Sequence, residues 1–123
     1  KQFRPGIESF TYELPGGLLD EEVSPEEIIV KEVFEETGHK AINTPVLLGN
    51  LYTDPVRLEN KFWAFFLNVE DQIDSNWKAE PDVEMSLVSK KELESMVLSG
   101  NFSDATQLGL ISLAILKGLF SWK

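Results

Sequence analysis

The chain has no cysteine, a single histidine, and 11 basic residues against 21 acidic ones in 123 residues, for a formal net charge of −10. Without cysteine there can be no disulfide, thiolate metal site or thiol nucleophile, which fits a reducing compartment. So few lysines and arginines argue against binding duplex nucleic acid through phosphate contacts, which need basic patches, and no nucleic-acid partner is expected. Membrane segments are missing as well. Residues 1–6 (KQFRPG) lack the apolar core of a signal peptide. The longest apolar helical pattern, residues 107–120, is interrupted by Lys117 and Gly118 and is too short to span a bilayer. These absences leave a chain with 42% apolar and 26% charged residues, ordinary for a soluble domain. Its length suits one domain over residues 1–123, expected in the cytoplasm.

The most informative stretch, residues 17–38, reads GLLDEEVSPEEIIVKEVFEETG. Ser24 is a good helix N-cap, Pro25 fits the first helical position, and Glu27 stands three residues after the cap. Gly38 supplies a C-terminal stop. Val30, Val33 and Phe34 give the helix a flank to bury. Glu32, Glu35 and Glu36 fall at spacings that share one helical face. Three like charges so close repel one another, so the helix itself gains nothing from them. A hard cation such as Mg²⁺ supplies a reason to gather them, and suits work on phosphate oxygens. The plainer reading is a solvated acidic helix after a Pro-Gly-Gly turn.

The whole constellation resembles the Nudix box, G-x5-E-x7-R-E-U-x-E-E-x-G-U, with U a bulky aliphatic residue. Gly17, Glu32, Val33, Glu35, Glu36 and Gly38 fall in register over 23 positions, and Glu13-Leu14-Pro15-Gly16 looks like the segment that leads into it in that family. Three positions depart from the pattern: Val23 for Glu, Lys31 for Arg and His39 for an aliphatic residue. The missing Glu and Arg usually pair with each other, so their joint loss leaves neither charge unpaired; Glu22 is a neighbouring carboxylate. The chain opens on Lys1 rather than Met, and beside the family it is expected to be short at its N-terminus by a first strand or hairpin. Such a gap would leave a sheet edge for a partner chain to cover.

Along the rest of the chain, residues 7–12 read as a short strand and residues 41–53 as one or two strands. Residues 62–67 (FWAFFL) read as a strand buried on both faces. Residues 70–84 form an acidic loop without periodicity, read as mobile, and residues 85–88 a further strand. Ser89 and Glu92 announce a capping box for a helix ending at Gly100. The last helix, about 107–120, is apolar nearly all round and should be buried in the domain or at a subunit contact. His39, alone behind a helix end, reads as a capping or surface residue.

The resemblance implies an α/β (α+β) fold, the Nudix α/β/α sandwich with a mixed, curved sheet between helices. It implies metal-dependent hydrolysis of a nucleoside diphosphate linked to another moiety. Mg²⁺, with Mn²⁺ as the alternative, would be held by Glu32, Glu35, Glu36 and the Gly16 carbonyl, with Glu35 also catalytic. Pro55 stands sixteen positions after His39, an offset associated with ADP-ribose-type members. In those members the general base sits on a loop corresponding to residues 70–84, where Glu80 is preferred over Asp82 and Glu84. Arg4 and Arg57 are candidate contacts to substrate phosphate or ribose; exposed arginines are the plain alternative. A homodimer is compatible with the apolar last helix. Two further readings stay open: a catalytically inert nucleotide-binding module, motivated by Val23 and Lys31, and a nucleoside triphosphate diphosphatase, which would share the box but not Pro55.

Overall fold

The structure, a computed structural model, describes residues 1–20 and 22–123. β1 (Gln2–Arg4) and β2 (Ser9–Thr11) form an antiparallel hairpin that pairs Phe3 with Phe10. Those two rings meet edge to face with centroids 5.4 Å apart, a cross-strand pair that fixes the register. Pro5–Ile7 closes the hairpin as one 3-10 turn, and Glu8 follows in the left-handed region at φ 51°. The strand expected over residues 7–12 is therefore shorter, and its partner is the three-residue segment before the turn.

α1 (Pro25–Thr37) begins as its capping residues dictate. The Ser24 hydroxyl accepts from the Glu27 N–H and the Glu27 carboxylate accepts from the Ser24 N–H, both at 3.2 Å. The helix ends on Gly38 in the left-handed conformation, φ 74°. β3 (Val46–Tyr52) and β4 (Lys61–Phe66) form the second antiparallel pair, with a bulge at Leu48. Leu48 is buried there with Ala64 and Ala114, and Phe62, Phe66, Leu110 and Leu113 pack around them. α1 packs against β4, and α3 (Ala105–Leu116) packs against β3. Between them in sequence runs α2 (Lys90–Ser99), opened by the Ser89–Glu92 capping box.

The class is mixed α/β as expected, and several details differ. The described strands form two separate antiparallel pairs rather than one mixed sheet. Residues 85–88 are not a strand: pairing stops at an isolated bridge between Gln2 and Val83, so their backbone has no ladder to join. Trp63 is 40% exposed, so β4 is covered on one face more than the other. α3 ends at Leu116, which is 82% exposed, because Lys117 and Gly118 interrupt the apolar pattern before Phe120. His39 is buried, at 3% exposure, rather than on the surface. Its Nδ1 donates to the Glu70 carbonyl at 2.7 Å, while Nε2 has no partner among the described residues. No helix among the described residues is long and apolar enough to cross a membrane.

Candidate active site

The site forms where the Pro15-Gly16-Gly17 turn runs back over the glutamate face of α1. The Gly16 N–H donates to Glu36 Oε2 at 3.3 Å. Gly17 lies so close to Glu32 that a Cβ there would overlap the Glu32 carboxylate, so a larger residue would push that carboxylate aside. From the other side, the Leu14 N–H donates to the side-chain oxygen of Gln107 at 2.7 Å, tying the turn to the first turn of α3. Asp104 caps that helix by accepting from the Gln107 N–H at 3.0 Å.

Arg4, on β1, reaches into the same region. Its Nε and Nη2 donate to the two oxygens of Glu13 at 2.7 and 2.5 Å, and the Thr11 hydroxyl adds a bond to Glu13 at 2.5 Å. The guanidinium holds the Glu13 carboxyl below its usual range, with Thr11 assisting. Arg4, Glu13, Gly16, Glu36 and Gln107 line one small polar cleft of about 180 Å³. A larger cleft of about 510 Å³ opens beside it, between Gly16-Gly17, the start of α1, β4 and Gln107.

The carboxylates of α1 are electrostatically crowded. Burial, with the charges of Glu35 and Glu80 assisting, raises Glu32, and Lys31 opposes the shift. Glu36 is pushed up to about 7, first by burial and then by the charges of Glu32, Glu80 and Glu13, against the Gly16 N–H. Glu80 is thus within electrostatic reach of both, although it lies more than forty residues away in sequence.

Of the residues singled out from sequence, Arg4, Gly16 and Glu36 line one cleft, Glu32 lies under the neighbouring Gly17, and Glu80 acts on both glutamates through its charge. Glu35 directly precedes Glu36 on α1, and its charge acts on Glu32. Arg57 does not join them: it sits in the loop after β3, 82% exposed, and pairs with Asp54 at 3.2 Å. Gln107, Thr11 and Trp77 were missed by sequence reading. Trp77 carried a signal, since a tryptophan in an acidic loop needs a surface to cover.

Hard carboxylate oxygens, a backbone turn that approaches them closely, and raised carboxyl groups that a cation would relieve are the donor set that Mg²⁺ or Mn²⁺ takes. The fit lies in the choice of donors rather than in a finished cage: among the described residues, no three acidic or histidine side chains already converge on one point.

A sequence profile of the NUDIX domain matches residues 1–106, and the chain belongs to the Nudix family. Three curated relatives give the match more detail. An uncharacterized Nudix hydrolase of Schizosaccharomyces pombe is 49% identical over 39 residues, covering 32% of this chain and 19% of that protein. The ADP-sugar pyrophosphatase of Mus musculus is 45% identical over 40 residues, covering 32% and 18%. The GDP-mannose pyrophosphatase of Pectobacterium atrosepticum is 29% identical over 108 residues, covering 85% and 55%. The chain thus spans about half the length of one of these relatives and under a fifth of the other two. No solved structure matches it significantly.

Proposed function

We propose that this domain is a pyrophosphohydrolase that cleaves the diphosphate of a nucleoside diphosphate linked to another moiety, of the ADP-ribose or nucleotide-sugar type. One observation carries the reading: the Gly16-Gly17 backbone is seated on Glu32 and Glu36 within electrostatic reach of Glu80. Hard-cation donors thus lie under one turn, Gly16 and Glu36 line the polar cleft beside it, and the charge of a further carboxylate reaches both glutamates. The family and the two pyrophosphatase relatives support the substrate class.

Glu32, Glu35, Glu36 and the Gly16 carbonyl would hold Mg²⁺ or Mn²⁺, which when bound supplies positive charge to the diphosphate oxygens. Glu80 accepts the proton of the attacking water. Its preference over Asp82 and Glu84 rests on its charge reaching Glu32 and Glu36. Water adds across the anhydride: one P–O bond forms, the bridging P–O bond breaks, and the products are a nucleoside monophosphate and a sugar phosphate. Arg4 lines the cleft beside Glu36 and contacts a substrate phosphate with the donors that Glu13 leaves free.

Product release from ADP-ribose, GDP-mannose, diadenosine polyphosphates and nucleoside triphosphates, with Mg²⁺ or Mn²⁺, tests the reading. Glu36→Gln is expected to lower turnover by on the order of 10²-fold or more, as loss of a principal charge stabiliser does. A Glu36→Gln variant as active as the wild type would remove the mechanism. Tight nucleotide binding without turnover on any substrate would favour an inert binding module. That outcome has a motive in Val23, which is 41% exposed where the family carries a glutamate.

A further inference from the structure

The segment joining β4 to α2 carries Glu80 and, on composition, is a loose acidic loop. It is tied down at its start, its middle and its end. At the start, the Glu70 N–H donates to the Lys40 carbonyl at 2.8 Å. At the end, Val83 bridges Gln2, and the Glu84 N–H donates to the Lys1 carbonyl at 3.0 Å. In the middle, the Asp74 N–H donates to the Gly38 carbonyl at 2.9 Å, and the Asp74 carboxylate accepts from the Asn76 N–H at 2.9 Å. The Trp77 N–H closes this turn by donating to the Asp74 carbonyl at 3.1 Å.

That turn delivers the Trp77 side chain to the end of α1. Its indole N–H donates to the Glu35 carbonyl at 2.8 Å. Glu35 lies in the last turn of the helix, where carbonyls have no intrahelical partner, so the bond satisfies an orphan acceptor. Trp77 and Ile73 also cover Gly38 so closely that a Cβ there would stand 2.7 Å from each. From Trp77 to Glu80 is three residues, a reach of about 10 Å at full extension.

We propose that Trp77 is a positioning residue, whose indole N–H on the Glu35 carbonyl fixes the Glu80 segment to the helix that carries the metal-type glutamates. The inference rests on the hydrolase reading with Glu80 as base, and assigns the anchor that reading lacks. Donors and base then move as one body, and the distance between them is set by packing at Gly38 rather than by a free loop.

Trp77→Phe tests it, because the variant keeps an aromatic ring beside Gly38 and removes the donor with part of the indole's bulk, and α1 stability measured alongside separates the lost packing. Amide hydrogen exchange over residues 78–84 should quicken roughly three- to tenfold, the effect of losing one hydrogen bond, with α2 and α3 unchanged. Turnover on the best substrate should fall roughly tenfold, with KM and the Mg²⁺ requirement unchanged, because a base held loosely loses its alignment. In a Glu80→Gln background the same change should cost no further turnover. Unchanged exchange in a folded Trp77→Phe protein overturns the strap whatever the activity does. Faster exchange with full turnover overturns its role in positioning. A Glu80→Gln variant with normal turnover is a different failure, that of the base assignment, and leaves the exchange result to decide the strap.

Discussion

Glu36 is the residue whose chemistry its surroundings alter most, and the alteration is a stability statement. Its carboxyl is pushed up to about 7 in the folded chain, from an ordinary value of 4.5, chiefly by burial. Between those values the folded state holds a proton that the unfolded state has released, so stability must fall as pH rises through this window. Below 4.5 the penalty is absent, and above about 7 it is complete. Glu36 is only about half buried, so solvent screening reduces the effect to about 1–2 kcal/mol. In the presence of a chelator, the midpoint in urea should drop across this range, and Glu36→Gln should flatten the slope. A cation that binds the ionised carboxylate reverses the trend, so Mg²⁺ should stabilise the chain above about pH 7 and progressively less below it. A wild-type chain that loses no more stability from pH 4.5 to 7 than Glu36→Gln does, without metal, would contradict the buried placement of this carboxyl.

At the scale of elements, two helix ends allow packing to be separated from backbone strain. Gly38 and Gly100 both end helices in the left-handed region, at φ 74° and 82°. A Cβ at Gly100 would meet nothing within 4 Å, whereas one at Gly38 would strike Ile73 and Trp77. Gly100→Ala should therefore cost about 1 kcal/mol, the strain alone, and Gly38→Ala about 2–4 kcal/mol by chemical denaturation. Equal costs would mean that the loop does not press on α1. The same contrast shows what sequence could convey. Ser24 with Glu27 and Ser89 with Glu92 act within one turn, so both helix starts were legible. The glutamate spacing on α1 was equally local. The β1–β2 hairpin was only half legible, because Gln2–Arg4 is three residues long and becomes a strand by pairing. Residues 85–88 have strand-like composition but no neighbour to pair with, and composition carries no news of neighbours. His39 reads as an end-of-helix surface residue until the Glu70 carbonyl and the loop close over it. The Trp77–Glu35 bond joins residues 42 apart and had no local trace beyond the tryptophan itself.

At the scale of the whole molecule, the notable quantity is surface. The chain exposes 8778 Å², against roughly 6,700 Å² for a compact monomer of its 13.9 kDa. Few side chains are fully enclosed: the buried apolar residues are Ile28, Leu48, Ala64, Phe102 and Ala114 among those described. Large apolar groups such as Ile7, Phe10, Leu87 and Leu98 each stand at least 62% exposed. Heat capacity of unfolding follows the apolar area exposed on unfolding, and a chain already this open has less left to expose. An ordinary domain of this length would give a heat-capacity increase of about 1.5–1.8 kcal/mol/K. This one should fall below that range by calorimetry at low protein concentration, with a correspondingly small urea m-value. If copies of the chain cover one another's apolar surface, the heat capacity and melting temperature should both climb with concentration. A value inside the ordinary range that does not move with dilution would contradict the open placement of these apolar groups.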